Sequence, residues 1–110
     1  MSPKPHPYKI ISHSDFDDEL TRIVEYLSDD ASHKAASQMV EDLVSQLDLI
    51  STHPFIYPAY PPRPSWRKMP IRYWHYVVFY TINKQKRQII LTHIFHMSRD
   101  IHSLIEQKNI

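Results

Sequence analysis

Eight fixed cations, Arg63, Arg67, Lys68, Arg72, Lys84, Lys86, Arg87 and Arg99, fall in a stretch, residues 52–99, that contains no Asp or Glu. His53, His75, His93 and His96 lie among them. Fixed positive charge beside imidazoles that titrate near neutrality is the equipment for holding anions and moving protons. Residues 14–51 are the reverse: ten acids stand against Arg22 and Lys34 alone. The formal net charge of +1 thus hides an acidic segment near −8 and a basic one near +8. A local field of that size attracts polyanions whatever the total. The ordinary explanation is that the acids solvate helices and the bases blunt sheet edges. Arg67, Lys68 and Arg72 are the hardest to explain that way, because they crowd a short strand and its end. Arg99 is easier, since an Arg after a last strand can pair with helix acids.

The histidines do not read as a metal site. Three must converge, and the i, i+3 spacing of His93 and His96 on a strand sends them to opposite faces. No cofactor is expected either. Cys is absent, so disulfides, thiolate nucleophiles and Cys-ligated metals are excluded. Gly is also absent, which removes phosphate-cradling loops, the dinucleotide fingerprint and the nucleophile elbow. No apolar run reaches membrane-span length. The Pro-punctuated start has no signal-peptide core, which points to a cytoplasmic protein with no membrane partner.

The elements that must position these residues follow from periodicity. At 110 residues the chain is one domain, expected over 8–110, after a Pro-rich extended arm at 1–7. Tyr8–Ile11 reads as a short strand. Ser14 reads as a helix cap, with acids in the first turns suited to the helix dipole. Phe16, Leu20, Ile23, Val24 and Leu27 make one apolar stripe, and Ser28-Asp29-Asp30 breaks it. A second cap at Ser32 opens a longer stripe from Ala35 to Ile50, ended by His53-Pro54. Residues 54–65 hold five prolines and are expected to be irregular. Trp66–Met69 and Tyr73–Ile82 read as strands, 83–86 as a turn, and Gln88–Phe95 as the return strand. The second of these is apolar or aromatic on both faces, so it should be central. Tyr73, Trp74 and Tyr76 could stack on bases, but a run in such a strand reads more simply as core. A last helix fits 98–107. The fold class is α+β: an N-terminal strand, an antiparallel helical hairpin packed on an antiparallel sheet, and a short C-terminal helix.

Leu47 with Pro54, Trp66-Arg67-Lys68-Met69-Pro70, Tyr76-Val77-Val78-Phe79-Tyr80 and His96-x-x-Arg99-Asp100, in this order and spacing, resemble the RelE/ParE superfamily of type II toxin–antitoxin modules. The resemblance spans roughly residues 8–103. It implies a growth-inhibiting toxin and a cognate antitoxin partner. Two mechanisms are implied. RelE-like members cut mRNA on the ribosome; ParE-like members share the fold but poison DNA gyrase.

RNA cleavage would need a base for the ribose 2′-hydroxyl, a stabiliser for phosphorane charge and an acid for the leaving oxygen. Under that reading Arg67 and Arg72 serve charge, with His93 or His96 for proton transfer. Under the binding reading the surface is Arg67, Lys68, Arg72 and Arg99. The RelE-like pattern has an Arg second in the Tyr76–Tyr80 strand, where this chain has Val77. The closing His96-x-x-Arg99-Asp100 looks ParE-like. The balance leans to gyrase poisoning, with mRNA cleavage as the alternative. A non-toxic module that grips an acidic peptide or nucleic acid is a third class.

Overall fold

A computed structural model describes residues 6–30 and 32–107, so the first five residues of the expected arm lie outside it. The element order is β1 (Lys9–Ser12), α1 (Ser14–Asp30), α2 (His33–Thr52), β2 (Ala59–Tyr60), β3 (Arg63–Ile71), β4 (Tyr76–Asn83), β5 (Gln88–His96) and α3 (Ile101–Gln107). The five strands form one sheet in the order β1-β5-β4-β3-β2. Every pairing is antiparallel except β1 with β5, which is parallel. The α+β architecture is as expected, and the parallel edge is the refinement.

The strand apolar on both faces is indeed central. Tyr76, Val78 and Tyr80 pack under the helical hairpin with Phe16, Met39, Leu43 and Ile50. Val77 and Phe79 pack on the other face with Trp66, Phe95 and Ile105 of α3. A single strand therefore contributes to both apolar layers, which is why it has no polar phase to give to solvent.

Most boundaries shift from expectation by one to three residues, and four of the differences have a clear local reason. The first cap is His13, not Ser14: its Nδ1 accepts from the Asp15 N–H at 3.1 Å. The helix then runs through 28–30, while Ser32 caps α2 by accepting from the Ala35 N–H. The Pro-rich stretch is not wholly irregular, because β2 and the start of β3 occupy it. Pro70 survives in β3 because its phase points outward. The Lys68 N–H faces β2, bonding Pro58 O, so Pro70, two residues on, turns its missing donor the same way, away from β4. Finally, β4 begins at Tyr76 rather than Tyr73. Residues 72–75 form a turn in which Tyr73 and His75 have φ of 72° and 54°. With no glycine available, bulky residues carry the left-handed backbone.

Phe79 and Leu43 are each almost wholly buried, one in each layer. Truncating Phe79 to Ala should cost about 3–5 kcal/mol and Leu43 to Ala about 2–5 kcal/mol in thermal or denaturant unfolding. A near-zero change at Phe79 would be incompatible with a load carried by both faces of β4.

Candidate functional site

The site forms where β1 ends and leaves the edge of β5 bare. β1 pairs with β5 only through Leu91. There a bulge intervenes: Phe79 faces His93 but Tyr80 faces Leu91, so Thr92 is the extra residue. Its hydroxyl donates to Phe79 O at 2.9 Å. The bulge shifts the phase of everything after it. Ile94 joins the hairpin-side core, whereas His93 and Phe95 turn to the α3 side.

Glu19 of α1 takes the place of the missing strand. Its Oε1 accepts from the Ile94 N–H at 3.1 Å, and Oε2 accepts from His93 Nδ1 at 2.9 Å. Both side chains are buried, Glu19 at 8% exposure and His93 at 2%. The His93 ring stacks on Phe95 at 5.0 Å and lies against Trp66. Glu19 lies three residues after Phe16 and four before Ile23, on the buried phase of the helix. An acid at that phase was the one sequence signal for this contact, and the helix-dipole reading of residues 15–19 passed over it.

Over this junction lies a cleft of about 500 Å³, lined by Glu19, Arg22, Ile23 and Tyr26 of α1, by Tyr76, Ile94, Phe95 and His96 of the sheet, and by Ser98 and Arg99. Burial, and then the neighbouring Tyr26, raise the Tyr76 phenol above its ordinary range, so it stays neutral. His96 packs edge-on against Tyr76 at 5.2 Å. Its Nδ1 accepts the Ser98 N–H at 3.1 Å and lies 2.6 Å from the Ser98 hydroxyl. A backbone N–H has only one role, so the ring proton sits on Nε2. The ring therefore has no free lone pair to offer a substrate. Arg22 and Arg99 add further donors.

The expected site residues separate into different surroundings. Arg67 donates to Tyr57 O and covers the Phe55 ring at 4.8 Å, clamping the loop before β2. Beside it the buried Tyr80 hydroxyl donates to Pro54 O, and burial pushes its pKa up to about 12. Lys68 sits 6.0 Å over Tyr60, at a second, apolar cleft that includes Pro58, Pro70 and Met97. Arg72 is exposed on the β3–β4 turn. His96 and Arg99 share the first cleft, while His93 is buried away from it. Arg67 pairs across to Tyr80 and His96 to Tyr76, four residues apart along β4, or ~13 Å at the usual strand rise. Arg99 has no carboxylate partner: among the described residues the ion pairs are His13–Asp15, His93–Glu19 and His102–Glu106, none with an Arg or Lys. Arg63 and Arg87 lie instead over Trp66 and Tyr8, and Lys84 over Phe55. Asp100 caps α3 through Ser103, and these hydrogen bonds hold its carboxyl below the usual range. Among the described residues no three His, Asp or Glu side chains group as metal ligands.

The family model of the ParE toxin of type II toxin–antitoxin systems, parDE, matches residues 10–101. The chain belongs to the ParE toxin family. A search of curated proteins returns no match. Among solved structures, a chain of the chromosomal ParDE toxin–antitoxin system of P. aeruginosa superposes with a TM-score of 0.71 at 15% identity, covering 86% of this chain and 100% of the other. The RelBE2 toxin–antitoxin complex of Mycobacterium tuberculosis gives 0.58 at 14%, covering 89% and 100%. The isolated E. coli RelE toxin gives 0.56 at 12%, covering 94% and 99%. At such identities these structures speak for the fold, and the ParE family model matches nearly the whole of it.

For this ParE-family chain, removing the Glu19 carboxylate strands the Ile94 N–H and His93 in a buried site. Glu19→Ala should cost about 3–5 kcal/mol in unfolding free energy. Glu19→Gln, whose amide oxygen can still accept from Ile94, should cost less.

Proposed function

We propose that this toxin arrests bacterial growth in the cytoplasm by gripping a protein target rather than by cutting RNA, with DNA gyrase as the target. The observation that carries this reading is the predominance of hydrogen-bond donors in the cleft. His96 Nδ1 is taken up by the Ser98 N–H, and the Glu19 carboxylate accepts from His93 and from the Ile94 N–H. Arg22 and Arg99 can only donate. Such a donor-rich wall suits an anionic surface. Two further points support the reading. Arg67 and His93, two of the four groups that cleavage would recruit, are engaged elsewhere in packing. Val77, where RelE-like enzymes hold an Arg, is fully buried in the α3-side core.

A cognate antitoxin with an acidic, amphipathic segment is the proposed silencing partner. Among the described residues no Arg or Lys has a carboxylate partner, which supports it, since charge complementarity steers such pairing. One arrangement favours the second reading, mRNA cleavage: the His75 and His96 rings lie 6.4 Å apart beside Arg99.

Inducible expression in bacteria separates the two. The expected outcome is growth arrest with an induced DNA damage response, intact transcripts by primer extension, and recovery when the neighbouring antitoxin gene is co-expressed and its product co-purifies. Discrete in-frame transcript cleavages abolished by His96→Ala would establish the RNase instead.

A further inference from the structure

The β3–β4 turn is built at a cost and held firmly, yet its most prominent side chain does nothing for the fold. Tyr73 is 89% exposed at a φ of 72°, a backbone region where a bulky residue is a genuine outlier. No hydrogen bond or ring contact engages its side chain among the described residues. His75, two residues on, also has positive φ, at 54°. Glycine would satisfy both positions better.

The turn around Tyr73 is nonetheless clamped on every side. Trp74 Nε1 donates to Asp42 Oδ2 of α2 at 2.7 Å. Gln46, buried on the same helix, accepts from the Arg72 N–H at 3.0 Å and donates to Pro70 O at 2.7 Å. The Met97 N–H donates to His75 O at 2.7 Å. Strain that persists because its surroundings over-determine it is concentrated at contact and switch sites. An aromatic ring held out on a rigid base loses little freedom on binding, which is the property of an interface anchor.

The turn also adjoins the cationic cleft. The His75–Met97 bond ties it to the residue after His96, and the two imidazoles lie 6.4 Å apart. Tyr26, 59% exposed, lies on the cleft's helical wall with Arg22, and Arg99 closes the other side.

We infer that Tyr73, presented by the strained β3–β4 turn, is the anchor with which this toxin grips its protein target, while Arg22 and Arg99 in the adjoining cleft meet acidic groups on that target's surface. This rests on the target-binding reading above and names the surface that performs it. A protein suits the surface better than duplex nucleic acid. A projecting ring beside a compact cleft with two arginines offers far fewer cations than the roughly 6–10 phosphate contacts of tight duplex binding. Arg and aromatic groups are the usual protein hot spots.

The test compares purified wild-type chain with Tyr73→Gly, Tyr73→Asn and Arg99→Ala, measuring melting temperature, binding to purified gyrase and to a plain DNA duplex, and growth arrest on induction. Tyr73→Gly should melt at or above the wild-type temperature, since it relieves the left-handed strain and removes no packing. It should bind gyrase about thirtyfold or more weakly, the size of a hot-spot truncation, and lose growth arrest. Tyr73→Asn, which tolerates the same backbone, should behave alike and covers the case in which glycine loosens the turn. Arg99→Ala should weaken binding less, with a reduced salt dependence. A stable Tyr73 variant as potent as wild type overturns the inference and leaves the gyrase reading intact. Failure of the wild-type chain to bind gyrase overturns that reading. The anchor is then decided by growth arrest alone: arrest that persists in the Tyr73 variants refutes it, and arrest lost from well-folded variants upholds it. Duplex binding that needs Arg99 but not Tyr73 makes the partner nucleic acid and overturns it. So does a Tyr73 variant that loses only its antitoxin.

Discussion

One buried carboxylate sets much of the geometry of this toxin. The Glu19 oxygens accept from the Ile94 N–H and from His93, at the point where β1 stops and β5 bulges. An open strand edge in a buried position would leave backbone donors without partners, a cost that natural folds avoid. Here a side chain from α1 supplies the acceptor that a strand would have supplied. The same contact fixes the first helix against the sheet and locks the His93 ring between Trp66 and Phe95. It also forms the floor of the cleft in which His96, Arg22 and Arg99 meet.

The two histidines that cleavage chemistry would draw on thus have different fates: their i, i+3 spacing separates them, and one inserted residue decides which face each takes. With Thr92 bulged out, His93 belongs to a core layer and His96 to a surface. The basic segment divides in the same way. Arg63, Arg67, Lys68, Lys84 and Arg87 lie on aromatic rings, where the cation is held without a carboxylate. Arg99 and Arg22 line the cleft, and among the described residues neither has an ion pair to a carboxylate.

The sequence disclosed the frame of this structure more readily than the details of its site. Both amphipathic helices, the two-faced β4 and the closing helix follow from spacing alone, because periodicity of 3.6 or 2 survives any tertiary context. The N-terminal edge strand was legible as a strand, but its parallel partner depends on where the whole hairpin lays it down. Tyr73 was absorbed into β4 because an aromatic run reads as strand, and the missing glycine concealed the turn. His13 displaced Ser14 as the cap because an imidazole nitrogen can accept where a hydroxyl was expected. Glu19 was hidden by its helix-dipole position, and Thr92 by the fact that a bulge has no composition. For Arg67 the sequence identified an unusual residue, whereas the structure gives it loop-clamping work. For Arg99 the expected ion pair is absent among the described residues.

The binding account turns on whether the His96 imidazole can serve a substrate as a proton acceptor. Long-range ¹H–¹⁵N NMR of the imidazoles at neutral pH reads the tautomer directly. The account predicts that His96 carries its proton on Nε2, with Nδ1 showing the nitrogen shift of a hydrogen-bonded acceptor, a pattern lost when Ser98 is replaced by Pro. A proton on Nδ1, with a free Nε2 lone pair facing the cleft, would contradict it and return a general base to the site.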